Sequence, residues 1–256
     1  MTDAISIERD DAVMALRFNR PDKKNAITAG MYAALAAALH EAEHDGVTRA
    51  VIFHGAGEQF TAGNDVADFL SNPPVDEDAP VFAFLRALAA ATLPYVAAVD
   101  GVAIGIGSTL LLHCDYVLVT ARARLQMPFV NLGLVPEAAS SLLLPQRIGY
   151  ARAAELLMLG EAIDGTRAVE LGLANRVVVA EQLATEAAAI ARTLARKPPG
   201  ALRATKALMR KAPRPMAEAM AEEAKLFAQQ LVSPEAREAF AAFLEKRPPR
   251  FDKSRT

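Results

Sequence analysis

The chain of 256 residues has no tryptophan and a single cysteine. One cysteine, Cys114, excludes an intrachain disulfide, and a reducing cytoplasm is the expected compartment. Cys114 stands in the apolar run Leu110–Val119 and reads as a small buried hydrophobe rather than a reactive thiol. An excess of one charge is also missing: 28 Lys and Arg oppose 30 Asp and Glu, for a formal net charge of −2. Such a balance offers no bulk attraction to nucleic acid or to an anionic membrane. Lys246, Arg247 and Arg250 still form a local basic cluster able to meet one phosphate. No apolar run reaches the roughly 18–20 residues that span a bilayer. The longest candidate, Tyr95–Val119, is broken by Asp100, Asp115 and several glycines. The opening MTDAISIERDD lacks the basic and apolar parts of a secretory signal, so none is expected. His40, His44 and His54 show no ligand spacing with a cysteine or an acidic cluster, so no metal is expected.

What the chain does have is apolar mass: 52% of its residues are hydrophobic, enough for a large core. Ile5, Ile7 and Val13–Phe18 alternate around Arg9-Asp10-Asp11, which predicts a hairpin. Thr28 is placed to cap an alanine-rich helix over 29–44. Ala50–Phe53, Tyr95–Val99 and Tyr116–Val119 read as buried strands, and residues 80–91 as a helix. Residues 71–80, SNPPVDEDAP, read as a surface loop. Strands alternating with helices imply an α/β layout with crossover connections. Beyond about residue 150 the pattern reads as helical, and Pro198-Pro199-Gly200 marks the best internal boundary. It separates a core over 1–198 from a helical region over 199–256. The apolar residues Phe227, Leu231, Phe240, Phe243 and Leu244 of that region read as packing, against this chain or another subunit.

Two glycine-bearing bends each follow a strand: Phe60-Thr61-Ala62-Gly63-Asn64-Asp65 and Asp100-Gly101-Val102-Ala103-Ile104-Gly105-Ile106-Gly107. A glycine lets neighbouring peptide N–H groups face outward without an obstructing Cβ. Two such groups converging on one oxygen form an oxyanion hole, worth several kcal/mol to a developing negative charge. Glycines in α/β connections are more often plain turns, and a dinucleotide loop is the obvious rival. The G-x-G-x-x-G spacing is absent, because position 110 is Leu, and no Gly-Lys-Ser/Thr follows.

The two bends, about 40 residues apart, resemble the paired signatures of the crotonase (enoyl-CoA hydratase/isomerase) superfamily, the second running on through Cys114-Asp115. Asn19-Arg20-Pro21 with Asn25-Ala26, Leu132-Gly133-Leu134, Gln146-Arg147-Ile148-Gly149, Ala168–Gly172 with Val177, and Phe243-Leu244-Glu245-Lys246-Arg247 extend the similarity over nearly the whole chain. The resemblance implies a ClpP-like spiral of ββα units with a helical C-terminal trimerisation region, assembled as a homotrimer or hexamer. It implies an acyl-CoA thioester substrate, coenzyme A being part of that substrate rather than a separate cofactor. The oxyanion-hole donors would be the N–H groups of Asn64 and Ile106. Coenzyme A and its acyl group would meet Lys24, Asn25, Ala26, Ala62, Gly63, Asp65, Val66, Gly105, Phe129 and Leu132. Lys246 would meet a CoA phosphate, with a neighbouring subunit as one source.

Typical hydratases of this superfamily carry two glutamates, and the matching positions here read Thr109 and Phe129. Neither can act as a carboxylate base, and Thr109 is expected to have no part in proton transfer. The remaining carboxylate is Glu137, in a segment, Pro128-Phe129 to Ser140-Ser141, that resembles peroxisomal-type Δ3,Δ2-enoyl-CoA isomerases, whose base is that glutamate. Moving a double bond needs a single base. The ordinary reading of Pro136-Glu137 is an acidic first-turn residue at a helix start; within this segment the catalytic reading takes precedence. Asp65 reads otherwise as a loop fixer, and His113, beside an apolar helix end, as core. A crotonase-type hydration or thioester hydrolysis, and a non-catalytic acyl-CoA-binding module, are the competing expectations.

Overall fold

A computed structural model describes residues 4–71, 78–211 and 233–251, with positions 218, 220, 224–227 and 229. Most of the loop expected over 71–80 lies outside the described residues, as do Leu231 and the side chains of Phe243 and Leu244.

The expected hairpin forms from β1 (Ile5–Asp10) and β2 (Val13–Phe18), paired antiparallel. Helix α1 (Ala29–His44) starts where Thr28 Oγ1 accepts the Met31 N–H, and Met31, Tyr32, Leu35, Ala38, Leu39 and Ala42 form its buried stripe. After β3 (Ala50–Gly55) come α2 (Val66–Ser71) and α3 (Pro80–Ala90). Strand β4 (Tyr95–Val99), short strand β5 (Val102–Ile104) and helix α4 (Ile106–Thr109) follow, α4 tightening into a 3₁₀ turn over Leu110–His113. Then come β6 (Tyr116–Val119), β7 (Arg124–Gln126), α5 (Ser140–Ile148), α6 (Tyr150–Ala154), β8 (Ile163–Asp164), α7 (Gly165–Glu170), β9 (Arg176–Val177), α8 (Ala180–Ala195), α9 (Pro199–Met209) and a last described helix, Pro234–Leu244.

Six strands form one sheet in the order β1-β2-β3-β4-β6-β9, parallel from β2 onward. Its faces follow the two-residue period of a strand. Val51, Phe53, Tyr95, Ala97, Val99, Val117 and Val119 join the core that includes α1, whereas Ala50, Ile52, Val96, Ala98 and Leu118 meet α8. Helix α8 answers with Leu183, Ala187, Ala191 and Ala195 at four-residue spacing, mostly small side chains that admit close packing. Strand β4 is buried along its whole length, as a central parallel strand requires.

The structure corrects the sequence reading in three places. The second glycine bend is not all turn, because β5 lies inside it and pairs with β7 in a separate sheet, β5-β7-β8. The stretch beyond residue 150 is not wholly helical, since β8 and β9 are two-residue strands held by tertiary pairing alone. Helix α2 was not expected. Among the described residues no helix is long and apolar enough to cross a membrane.

Helix α9, just past Pro198, is tied to this core by a buried lysine. Lys206, 5% exposed, reaches Asp115 Oδ2 at 2.7 Å and the Leu93 carbonyl at 2.5 Å, and lies 4.6 Å from the Tyr95 ring centroid. Removing one partner of a buried ion pair strands the other. Lys206→Met should therefore lower the unfolding free energy by about 3 kcal/mol in urea titration. Adding Asp115→Asn should recover part of that loss, and a purely additive double variant would contradict the pairing.

Candidate active site

The two glycine bends lie side by side. Thr61 N–H donates to the Val102 carbonyl at 2.9 Å, and Ile104 N–H to the Thr61 carbonyl at 3.0 Å. Two residues on, a Cβ on Gly63 would stand 2.5 Å from the Ile104 carbonyl oxygen, so only glycine allows this approach. At Gly105 the requirement differs: nothing crowds the position, but its φ of 57° and ψ of −119° suit glycine alone. Gly105 precedes α4, so Ile106 is the first helical residue and its N–H has no intrahelical acceptor. Among the described residues no acceptor meets the N–H of Ile106 or of Asn64.

The turn over Lys24–Ala26 is laced to the first bend. Ala62 N–H donates to the Lys24 carbonyl, Ile27 N–H to the Gly63 carbonyl and Asp65 N–H to the Ile27 carbonyl, at 2.8–2.9 Å. The expected binding stretches are thus brought together, but not every side chain in them faces outward. Asn25 is 0% exposed; its Nδ2 reaches the carbonyls of Ala56, Gln59 and Phe60, and its Oδ1 accepts the Arg20 N–H. It staples the scaffold. Asp65 caps α2 through the N–H groups of Ala67 and Asp68 and pairs with Arg20 at 3.0 Å. The Asp68 N–H, then Arg20, hold its carboxyl below the usual range. Lys24 and Val66 are exposed, and Ala62 is half-buried.

Glu137 is not a first-turn residue, because α5 begins only at Ser140. Its carbonyl instead accepts the Ser140 N–H at 2.9 Å and the Ser140 hydroxyl at 2.6 Å. Ala138 and Ala139 both adopt left-handed backbone, turning the chain sharply just beyond the glutamate. The half-buried Glu137 side chain meets the Thr109 hydroxyl, one turn of α4 beyond Ile106. Burial pushes its carboxyl from an ordinary 4.5 to about 7, and the Thr109 hydrogen bond partly opposes that rise. Thr109 is therefore part of the site after all, as the holder of the carboxylate. Its hydroxyl can instead donate to the Gly105 carbonyl, 3.4 Å away, when Glu137 carries a proton.

Two further side chains escaped the sequence reading. The Tyr32 hydroxyl donates to Asn64 Oδ1, joining α1 to the first bend. Burial and then the charge of Glu137 raise its pKa, so it stays a neutral donor. His113, expected as plain core, hydrogen-bonds the Ala138 carbonyl at 2.8 Å. Both contacts span long sequence separations that no local motif announces. Phe129 is buried in the core, and its carbonyl closes the following turn by accepting the Leu132 and Leu134 N–H groups. Leu132, by contrast, is 65% exposed. Lys246 is exposed on a tail whose Phe251 carbonyl accepts from Arg49, beside the N-terminal end of β3.

This arrangement, a sheet spiral with two apposed bends and one desolvated carboxyl beside them, is that of a crotonase-type protein. A family model described as enoyl-CoA hydratase/isomerase matches residues 8–254, and the chain belongs to that family. A solved structure from Magnetospirillum magneticum AMB-1, named only provisionally as an enoyl-CoA hydratase/carnithine racemase, is 45% identical, with a TM-score of 0.95 over 99% of this chain and 100% of that one. A Mycobacterium leprae protein provisionally named enoyl-CoA hydratase echA8 is 34% identical over 97% of this chain and 98% of its own length. Enoyl-CoA delta isomerase 2 of Rattus norvegicus is 36% identical over 86% of this chain and 57% of its own length.

The Glu137 environment makes a prediction independent of any substrate. Carboxyl-carbon NMR should give a titration midpoint near 7. Thr109→Val removes the bond that lowers it, so the midpoint should move upward. A midpoint at the ordinary 4.5 would refute the desolvated site.

Proposed function

We propose that the protein is an enoyl-CoA isomerase that moves the double bond of a 3-enoyl-CoA to the 2-position. The observation that carries this reading is the single carboxyl of Glu137, desolvated to a pKa of about 7 and held by Thr109 beside α4. A base with that pKa is half ionised near neutral pH, where it both takes and returns a proton with little penalty. In the proposed reaction the Glu137 carboxylate removes a proton from C2, and the electron pair delocalises onto the thioester oxygen. The N–H groups of Asn64 and Ile106 form the oxyanion hole that receives that charge. Protonated Glu137 then delivers its proton to C4 and the double bond settles at C2–C3. The enzyme ends as it began, and neither water nor a second acid is consumed.

The second reading is hydration of a 2-enoyl-CoA, favoured by the hydratase name of the Mycobacterium leprae relative. Hydration adds water across the bond and calls for a group to activate the water and one to protonate carbon. Thr109 and Phe129 occupy the two positions that resemble those of hydratase glutamates, and neither supplies a base.

Purified protein offered 3-enoyl-CoA and 2-enoyl-CoA separately, with products separated and weighed, distinguishes these readings. Isomerisation of the first substrate is expected, and Glu137→Gln should slow it by about a hundredfold to ten-thousandfold. Efficient hydration of the second substrate without isomerisation of the first would overturn the proposal. Binding without turnover would leave an acyl-CoA-binding module.

The proposed assembly is a homotrimer or hexamer. Phe227 and Phe240 are 69% and 56% exposed on the C-terminal region, more apolar surface than a solvated helix needs. Light scattering at micromolar concentration should report three or six chains, and a monomer would contradict this.

A further inference from the structure

The turn that carries Glu137 is improbable on local grounds. Ala138 and Ala139 have φ of 50° and 54°, a region that alanine avoids and keeps only where its surroundings hold it. Within the turn, Ser140 ties back to the Glu137 carbonyl, and the Ala139 carbonyl accepts the Leu142 and Leu143 N–H groups. Those bonds shape the turn but do not place it against the rest of the site. Among the described residues, one hydrogen bond reaches the backbone of Ala138 from outside: His113 Nε2 to its carbonyl oxygen, 2.8 Å long and buried.

His113 is itself rigidly mounted. It ends the 3₁₀ turn that continues α4. Arg147 donates to the carbonyls of Leu111 and Leu112, at 3.4 and 3.0 Å, and Arg210 donates to that of His113, at 3.2 Å. The acceptor is a carbonyl, so Nε2 must carry the hydrogen. Burial, with Arg210, Arg147 and Lys206 nearby, keeps the ring neutral, and the Ala138 bond alone works the other way. One continuous segment, Ile106–His113, therefore supplies the outward N–H of Ile106, the hydroxyl on the Glu137 carboxyl and the donor to the Ala138 carbonyl.

We infer that His113 is a positioning residue: its hydrogen bond to Ala138 holds the left-handed turn that sets Glu137 at a fixed distance from the Ile106 N–H. The inference rests on the reading of Glu137 as the base. It goes further in assigning the base's placement to a side chain that touches neither substrate nor carboxyl.

Glutamine places its Nε2 the same number of bonds from Cβ as histidine does, whereas phenylalanine fills the volume without a donor. His113→Phe should lower kcat by about ten- to hundredfold, the scale of an ångström-sized misplacement, with KM changed less than about threefold. The acid limb of its kcat/KM profile should move below that of the wild type as the carboxyl swings toward water. His113→Gln should restore both. Where His113→Phe does not fold, His113→Met takes its place. Amide hydrogen exchange over 134–141, read without substrate, should quicken in the donor-less variant and return to normal in His113→Gln. Unchanged exchange, or a His113→Gln variant as impaired as His113→Phe, overturns the inference. Full activity in Glu137→Gln would overturn the base assignment instead, and the exchange result would still report on the turn.

Discussion

The geometry of the site depends on the peptide pairing between Thr61 and the Val102–Ile104 strand. Those two hydrogen bonds are unremarkable in strength, each about 1 kcal/mol net. Their importance lies in register, because they lay two bends that are distant in sequence side by side. Once Gly63 is pressed against the Ile104 carbonyl, the residue after each key glycine has its N–H near the start of α4. Asn25 and Asp65 then serve that pairing from either flank. One locks the 56–60 loop, and the other caps α2 and binds Arg20. Side chains that the resemblance marked as ligand contacts are occupied in holding the backbone around the bends.

Glu137 shows a different physical tension. A carboxylate prefers water, and burial makes the charged form unfavourable, which is why its pKa rises. Thr109 offsets part of that cost with one hydrogen bond, leaving the group balanced between its two forms. A fully solvated glutamate would be too weak a base at neutral pH. One with no hydrogen-bond donor in the same place would hold its proton more tightly still.

Much of this was legible in the sequence. The hairpin, the Thr28 cap, α1, α3, β4 and β6 follow from period and capping chemistry, which are local. The glycine bends and Glu137 drew notice through their resemblance to crotonase segments, because taken alone glycines in such connections read as plain turns and Pro136-Glu137 as a helix start. Strands β5, β7, β8 and β9 left no mark, being two or three residues long and existing through their partners. Tyr32 and His113 were likewise missed. On their own helices each reads as a buried apolar-face residue, and their roles come from Asn64 and Ala138, dozens of positions away. Lys206 belongs with them: a lysine in a helix gives no sign that its tip will be buried against Asp115.

The outward N–H groups of Asn64 and Ile106 belong to the main chain, and that has a consequence for how such a protein can change. Any residue but proline supplies the same donor, so the side chains at positions 64 and 106 are released from it and serve other partners: Asn64 accepts from Tyr32 and Ile106 packs into the core. An alanine scan would pass over both positions without registering the donors. Divergence between relatives at these two sites can therefore follow those packing partners, while the main-chain N–H groups stay invisible to any comparison of letters.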